Sequence, residues 1–178
     1  GPDDELGGAL RGRGHARGLE YDGSIVAWGD NGDGQCGVPA PNADFVSVAA
    51  GYGHSLGLRA DGSIVAWGAN HLGQCDVPAP NVDFVAVTAG RWHSLGLKAD
   101  GSIVGWGYNY NRQCDVPAPN TDFVEVADGD YYSLGLKSNG SIVAWGDNYG
   151  GVCDVPPPNT EFVGVSAGWD HSLGLKAD

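Results

Sequence analysis

Residues 83–120, DFVAVTAGRWHSLGLKADGSIVGWGYNYNRQCDVPAPN, decide the fold because near-copies of this segment recur along the chain. Its tryptophan returns every 39 residues, at Trp28, Trp67, Trp106 and Trp145. The cysteines keep the same spacing, at Cys36, Cys75, Cys114 and Cys153. A period of about 20 to 50 residues is typical of repeat proteins, in which each unit buries its apolar face against its neighbours.

Each unit predicts three short β-strands. In the quoted unit they are Phe84–Thr88, Ser94–Lys98 and Ser102–Trp106, which are separated by Gly, Asn and Asp residues. Asp100-Gly101 lies between the second and third strands and predicts a two-residue type I′ hairpin turn. The other units carry Asp-Gly or Asn-Gly at the same place, so the hairpin is predicted in every unit.

Such a turn also predicts the register of the hairpin. In the unit before the quoted one, Leu56 would face Trp67 and Leu58 would face Val65, which makes one bulky face. Gly57 would lie on the opposite, small face, where the next sheet can pack into the hollow. Twisted antiparallel sheets that stack in this way favour radial stacking. The predicted fold class is therefore all-β, a β-propeller built from four 39-residue three-stranded antiparallel blades.

The chain ends predict how the blades are organised. Residues 15–178 are assigned to the four-blade domain, and residues 1–14 to a tag remnant at Gly1-Pro2 and a degenerate leader. The chain stops before a third strand could follow Phe162–Lys176 and begins with a third strand that ends at Trp28. His15, Gly18 and Leu19 fit the second-strand positions of the repeat, so the alternative is that the leader already pairs with this third strand. Exposed strand edges invite pairing, so we predict a homodimer that closes an eight-bladed ring. A tight four-bladed ring and a piece of a longer propeller are the alternatives.

Composition narrows the class of partner. Acidic residues outnumber basic ones by 22 to 9, and the net charge is −13. A nucleic-acid-binding protein needs Lys and Arg to displace counterions from phosphates, so no nucleic-acid partner is predicted. No apolar run reaches the length of about 18 residues that crosses a bilayer, so no membrane insertion is predicted.

The histidines and cysteines follow the repeat rather than a catalytic pattern. The histidines share one position of the repeat, at His15, His54, His93 and His171, and Tyr132 takes the remaining place. We interpret them as structural. Cysteines 39 residues apart lack the spacing of a zinc site and are interpreted as buried free thiols. Because no catalytic motif is present, we predict no catalytic residue, no metal, no cofactor and no enzymatic activity.

The units differ most in two loops, one between the first and second strands and one after the third. Both loops are predicted at the same end of the blades. Large aromatic rings with few rotatable bonds dominate binding interfaces, so this end is predicted to bind a partner. The predicted partner-binding residues are Tyr52, Arg91, Trp92, Tyr108, Tyr110, Asp130, Tyr131, Tyr149, Trp169 and Asp170.

The repeated motif GxxHSLGLKxDGSIVAWGxNxxGQCxVP resembles the repeat of the regulator of chromosome condensation family, in its short three-stranded bacterial form. The motif is also similar to that of bacterial propeller inhibitors of β-lactamase. The resemblance covers roughly residues 15 to 178 and implies a propeller whose loops at one end supply aromatic contacts to a protein.

The resulting functional hypothesis is a non-enzymatic protein-binding module with a protein partner of unknown identity. One alternative is a structural repeat segment of a larger bacterial surface propeller without a dedicated ligand. A weaker alternative, implied only by the resemblance, is β-lactamase inhibition or nucleotide exchange on a small GTPase.

Overall fold

The computed structural model describes residues 6–11 and 14–177, with side chains from residue 14 onward. The described strands are β1 Leu6–Arg11, β2 His15–Glu20, β3 Ile25–Gly29, β4 Phe45–Ala50, β5 His54–Arg59, β6 Ile64–Gly68, β7 Phe84–Ala89, β8 His93–Lys98, β9 Ile103–Gly107, β10 Phe123–Asp128, β11 Tyr132–Lys137, β12 Ile142–Gly146, β13 Phe162–Ala167 and β14 Ser172–Lys176. A single 3-10 turn, Tyr149–Gly151, is the only helical segment of the described chain. No helix in this part of the chain is long and apolar enough to span a bilayer.

The strands form four antiparallel three-stranded sheets, β1-β2-β3, β4-β5-β6, β7-β8-β9 and β10-β11-β12, which we call blades one to four. Strands β13 and β14 form a two-stranded sheet, blade five. The first strands of successive blades contact one another, which arranges the blades around a common axis. The prediction of an all-β propeller with four three-stranded blades is confirmed, and the two-stranded sheet adds to it.

The first blade bears on two predictions about the chain ends. Strand β1 lies inside residues 1–14, which the sequence pattern assigned to a leader, because its backbone pairs with β2 even though its residues depart from the repeat. Strand β3 pairs with β2 of the same chain. It is therefore already the third strand of blade one, and the structure gives no support to a homodimer that closes an eight-bladed ring by sharing it.

The hairpin turn differs from the prediction by one residue. In blade two, the Arg59 amide donates to the Ser63 carbonyl at 2.9 Å, and the Gly62 amide donates to the Arg59 carbonyl at 3.0 Å. Gly62 has φ +79°. This is a three-residue loop with a glycine in the left-handed region, a common alternative to the type I′ turn. The Asp61 carboxylate stabilises it by accepting hydrogen bonds from the Ser63 amide and hydroxyl.

The longer loop moves the third strand by one position and turns its side chains to the other face. Leu56 pairs with Ala66, and Ser55 pairs with Trp67. The predicted bulky face of Leu56 together with Trp67 is therefore wrong. The tryptophan shares its face with the mid-strand glycine, Gly57.

The hollow at the mid-strand glycine exists, but a different side chain fills it. A Cβ atom on Gly57 would lie 2.5 Å from the Phe45 ring of the same blade and 3.3 Å from Ile25 of the preceding blade. Gly96, Gly135 and Gly174 have equivalent neighbours. Between blades two and three, the core joins Leu56 and Leu58 of one blade to Trp106 of the next. The blades thus bury their apolar surface against one another.

The outer edge of each three-stranded blade is covered by an asparagine side chain instead of a fourth strand. In blade two, Asn81 accepts a hydrogen bond from the Ile64 amide and donates one to the Ile64 carbonyl, both at 2.8 Å. Asn42, Asn120 and Asn159 make the same pair of bonds to Ile25, Ile103 and Ile142. These side chains satisfy backbone groups that an edge strand leaves unpaired.

Candidate functional site: the loop end of the blades

The two variable loops of each blade are joined by backbone hydrogen bonds. In blade three, the Tyr108 amide donates to the Trp92 carbonyl at 2.9 Å, and in blade four the Asp147 amide donates to the Tyr131 carbonyl at 2.9 Å. Residues 51–53, 90–92, 129–131 and 168–170 therefore lie beside residues 69–73, 108–112 and 147–151. We call these segments the loop end. All ten predicted binding residues lie there.

Arg91 lies at the centre of an aromatic group. Its guanidinium carbon is 5.4 Å from the Tyr52 ring centroid, 5.9 Å from that of Trp92 and 5.4 Å from that of Tyr131. The rings of Tyr52 and Trp92 are 5.0 Å apart. The guanidinium also forms an ion pair with Asp130 at 3.2 Å. Cation–π contacts and the ion pair together hold these loops of three blades in one arrangement.

Further aromatic contacts link blade three to blade four and extend to an exposed ring. Tyr108 makes an edge contact with Tyr131 at 5.9 Å and stacks on Tyr110 at 6.5 Å. Tyr110 is 86% exposed. The aromatic surface thus runs without a break from Tyr52 of blade two to blade four.

The remaining predicted residues, Tyr149, Trp169 and Asp170, line a cleft between blades four and five. The cleft has a volume of about 370 Å³, and its walls include Asp130, Tyr131, Asp147, Tyr149, Trp169 and Asp170. Tyr149 is 85% exposed and Trp169 is 51% exposed, so aromatic surface is accessible at its mouth. We call this the acidic cleft.

Sequence reasoning missed Asp147. It occupies the same position of the repeat as Tyr108, 39 residues earlier, which was identified. Comparing equivalent positions of the repeat could have identified Asp147.

Sequence reasoning also missed a central cavity of about 750 Å³ between the first strands of blades two to five. Small residues that end these strands line it, among them Ala50, Gly51, Ala89, Gly90, Gly129, Ala167 and Gly168. Tyr52, Arg91, Asp130 and Trp169 also border the cavity. The recurring Ala-Gly pair was the signal in the sequence, because small side chains leave space where strands converge.

Three of the repeated histidines, His15, His54 and His93, are buried, whereas His171 of blade five is exposed. The fully buried His54 places Nε2 3.0 Å from the Ser94 hydroxyl of the next blade. Burial, together with the Arg17 charge, lowers the pKa of His54 to about 3. His93 contacts the next blade similarly, at 3.2 Å from both the Ser133 hydroxyl and the Asp128 carboxylate. These contacts are consistent with a structural role.

The cysteines are free and partly buried. The thiols of Cys75 and Cys114 donate to backbone carbonyls, at 3.2 and 3.4 Å. Burial raises the pKa of Cys75 to about 11 and that of Cys114 to about 12, so both remain protonated at neutral pH. Within the part of the chain that the structure describes, no three His, Cys, Asp or Glu side chains come together as a metal site.

Radially stacked three-stranded blades with a variable loop end define a repeat protein of the β-propeller class. Two segments of the chain, residues 45–74 and 84–113, match the sequence model of the Regulator of chromosome condensation (RCC1) repeat. No curated protein matches the sequence.

Solved structures show the same fold. Prp20p from Saccharomyces cerevisiae is 21% identical with a TM-score of 0.83, over 97% of this chain and 56% of that protein. Human WBSCR16 is 18% identical with a TM-score of 0.79, over 99% of this chain and 59% of that protein. The CRINKLY ectodomain of the Arabidopsis thaliana receptor kinase ACR4 is 24% identical with a TM-score of 0.79, over 98% of this chain and 69% of that one. The chain thus spans less than two thirds of Prp20p and WBSCR16.

Proposed function

We propose that the protein is a non-enzymatic binding module whose protein partner contacts the loop end. The observation that carries the proposal is the aromatic surface that runs from Tyr52 to Tyr110 around Arg91. Tyr, Trp and Arg supply most of the binding free energy at protein interfaces, because they bury a large area and lose little conformational entropy.

The internal contacts of this surface also favour binding. Arg91 is held by three rings and by Asp130, so these side chains are already ordered before a partner arrives. A preorganised surface loses less conformational entropy on association than one made of mobile side chains.

The structural relatives support a protein partner in general terms. The structure of Prp20p is described together with its binding properties to Gsp1p and histones, and another structure shows yeast RCC1 (Prp20) bound by Kap60. These statements concern the yeast protein. They show that a propeller of this shape can bind proteins, and they leave the identity of the partner here to experiment.

Site-specific photocrosslinking tests the proposal. A benzoyl-phenylalanine at position 110 or 149 should crosslink to one and the same protein in an extract of the source cells. The control is the same residue at Tyr21, which is 77% exposed at the opposite end of blade one. No adduct is expected there.

Affinity measurement with the purified partner completes the test. The triple variant Trp92→Ala, Tyr131→Ala and Trp169→Ala should weaken binding at least about 30-fold, as expected for interface hot spots. Tyr21→Ala should leave the affinity unchanged. Equal affinity of the triple variant and the unaltered protein would show that the partner binds elsewhere.

A second candidate is a structural role in which further blades cover the outer faces. Leu173 and Leu175 of blade five are 61% and 67% exposed, whereas the equivalent Leu56 and Leu58 are buried. Trp28 of blade one is also exposed, unlike Trp67. Crosslinks from position 173, with none from 110 or 149, would favour this role over the binding module.

A further inference from the structure

We infer that the interface between blades one and two is an acid-sensitive switch. In weak acid, a proton on His15 beside the buried Arg17 releases blade one, while blades three and four stay packed together. The switch does not depend on the proposed function. It follows from the position of Arg17, from the groups around it and from the contrast with the other blade interfaces.

Arg17 occupies a position that is leucine in the other blades, at Leu56, Leu95, Leu134 and Leu173. Its side chain is fully buried. Among the described residues, no carboxylate lies within 4.0 Å of its guanidinium, which stays charged at neutral pH. A buried charge without an ion-pair partner destabilises the interface that holds it.

Uncharged groups hold the guanidinium in place. It donates to the carbonyls of Ala49 and His54 in blade two, the latter at 3.0 Å, and lies 5.7 Å from the Trp67 ring centroid. Within blade one it contacts Nε2 of His15. Because a guanidinium only donates hydrogen bonds, this nitrogen has to accept one, and only a neutral imidazole can do so.

A proton on His15 reverses this contact. Its Nε2 would become a donor that faces the donors of Arg17, one cation against another. Burial, followed by the Arg17 charge, lowers the pKa of His15 to about 4, and Asp30 acts in the opposite direction. In a released blade the ordinary value of 6.5 applies, so the released state binds the proton first and acid favours release.

The other titratable groups at this interface do not replace His15 as the trigger. Burial, together with Arg17 and with His93 of the next blade, lowers the pKa of His54 to about 3. Its Nε2, however, faces the Ser94 hydroxyl, which can accept a hydrogen bond from a protonated ring. The Cys36 thiol, which also interacts with Arg17, donates to the Asp30 carbonyl.

One ion pair joins the two blades at the loop end and acts against release. His71 lies 3.7 Å from Asp33, and protonation of His71 strengthens this contact. Both side chains are exposed, at 77% and 41%, so the pair contributes little.

The later interfaces lack this arrangement. Between blades three and four, His93 lies 3.2 Å from the Asp128 carboxylate, so an acidic group faces that imidazole instead of a cation. Between blades four and five the histidine position holds Tyr132, which takes up no proton in weak acid. Blade one is therefore expected to leave first.

Release would also change the loop end. The Asp33 carboxylate of blade one lies against Gly53, where an added Cβ atom would be 2.9 Å from its oxygen. Gly53 is the neighbour of Tyr52, so loss of blade one alters the surface at one end of the aromatic group.

Hydrogen exchange of the indole N–H groups reads the interfaces separately. The indoles of Trp67 and Trp145 donate to the carbonyl of the glutamine that follows the preceding blade, so Trp67 reports on blades one and two and Trp145 on blades three and four. Rates are corrected for intrinsic exchange. From pH 7 to pH 5, protection of the Trp67 indole should fall about 20-fold, as expected for a pKa of about 4 that returns to 6.5 on release. At pH 5, Trp67 should be at least about 10-fold less protected than Trp145.

Two variants locate the trigger. His15→Gln keeps an acceptor for Arg17 but does not titrate, so the fall in Trp67 protection should shrink to less than about fivefold. Arg17→Leu restores the residue of the other blades, removes the cation beside His15 and should make the fall at least about twofold smaller. His171→Gln, at the same position of the repeat in blade five, is the control and should keep the full fall, because His171 is exposed.

Equal protection of Trp67 and Trp145 at pH 5 would show that the protein opens as a whole and would overturn the inference. So would Trp67 protection that does not fall between pH 7 and pH 5, or a full fall in either His15→Gln or Arg17→Leu. If one variant already loses Trp67 protection at pH 7, the pH profile of the other decides.

Discussion

Contacts between blades repeat from unit to unit, whereas residues at the loop end vary, although the same 39-residue units build both regions. The interfaces repeat their contacts: the indole N–H of Trp67, Trp106 and Trp145 donates to the carbonyl of Gln35, Gln74 and Gln113 in turn. At the loop end, the residue pairs 52–53, 91–92, 130–131 and 169–170 differ in every blade. If the loop end binds a partner as proposed, stability and recognition are carried by separate sets of residues.

The largest expected effect on stability comes from comparing two tryptophans, one buried between blades and one at the loop end. Trp106→Ala should lower the free energy of unfolding by about 3 to 5 kcal/mol, because the buried ring leaves a cavity and the Gln74 carbonyl loses a hydrogen bond. Trp169→Ala, at the loop end, should lower it by less than about 1 kcal/mol. Urea denaturation measures both. Comparable losses would contradict the separation of stability from recognition.

The next effect concerns pH and the histidines between blades. The pKa of His54 is lowered to about 3, against an ordinary value of 6.5, so the unfolded chain binds a proton first as the pH falls. This group alone should remove about 2 kcal/mol of stability between pH 7 and pH 5, with the loss levelling off below about pH 3. Burial also lowers the pKa of His15, to about 4, so the loss for the whole protein is larger.

The variant His54→Gln should show a shallower fall of stability with pH. His71→Gln is the control, because that imidazole is exposed at the loop end. Denaturant midpoints measured from pH 7 to pH 5 give the slopes. A slope that stays the same in His54→Gln, or that changes equally in His71→Gln, would contradict the assignment.

A smaller effect is expected at the outer edge of a blade. Asn81→Ala removes both hydrogen bonds to Ile64 and should cost about 1 to 2 kcal/mol. It should also speed hydrogen exchange of the Ile64 amide, while the Ile103 amide, bonded to Asn120, should stay protected. Unchanged exchange at Ile64 would show that the asparagine does not protect the edge.

The smallest effect has the opposite sign and lies at the loop end. Arg112 has φ +62°, whereas Gly34, Gly73 and Gly151 take the same place in the other blades. Left-handed backbone strains a residue with a side chain, so Arg112→Gly should stabilise the protein by less than about 1 kcal/mol after the greater freedom of glycine in the unfolded chain is counted. The reverse change, Gly73→Arg, should destabilise it. Thermal unfolding measures both, and a destabilised Arg112→Gly variant would contradict the strain.

The sequence predicted the blades but missed the register of their hairpins. Asp61-Gly62 is compatible with both a two-residue and a three-residue loop, and the choice depends on the bond between Asp61 and Ser63 and on the twist of the sheet. That single residue decides whether Trp67 lies beside Leu56 or beside Gly57. Strand β1 was missed because its residues depart from the repeat while its backbone keeps the pairing.

At the loop end, too, the sequence predicted the residues but not their arrangement. Variation among the units identified Tyr52, Arg91 and Trp169, because residues at equivalent positions can be compared within one chain. Their grouping into one aromatic surface and one acidic cleft could not be predicted, since it depends on the distance between loops of different blades.

The amino-acid sequence by itself determined the repeat, the three strands of each unit and the end of the blades where the units differ. These features follow from local patterns of apolar, glycine and turn residues. Only the tertiary structure decided which face each tryptophan takes, that Phe45 and Ile25 fill the hollow at Gly57, and that Arg91 joins three blades. Those features arise from contacts between residues 12 to 40 positions apart in the sequence, or from a one-residue difference in a turn. Local patterns carry too little information to settle either.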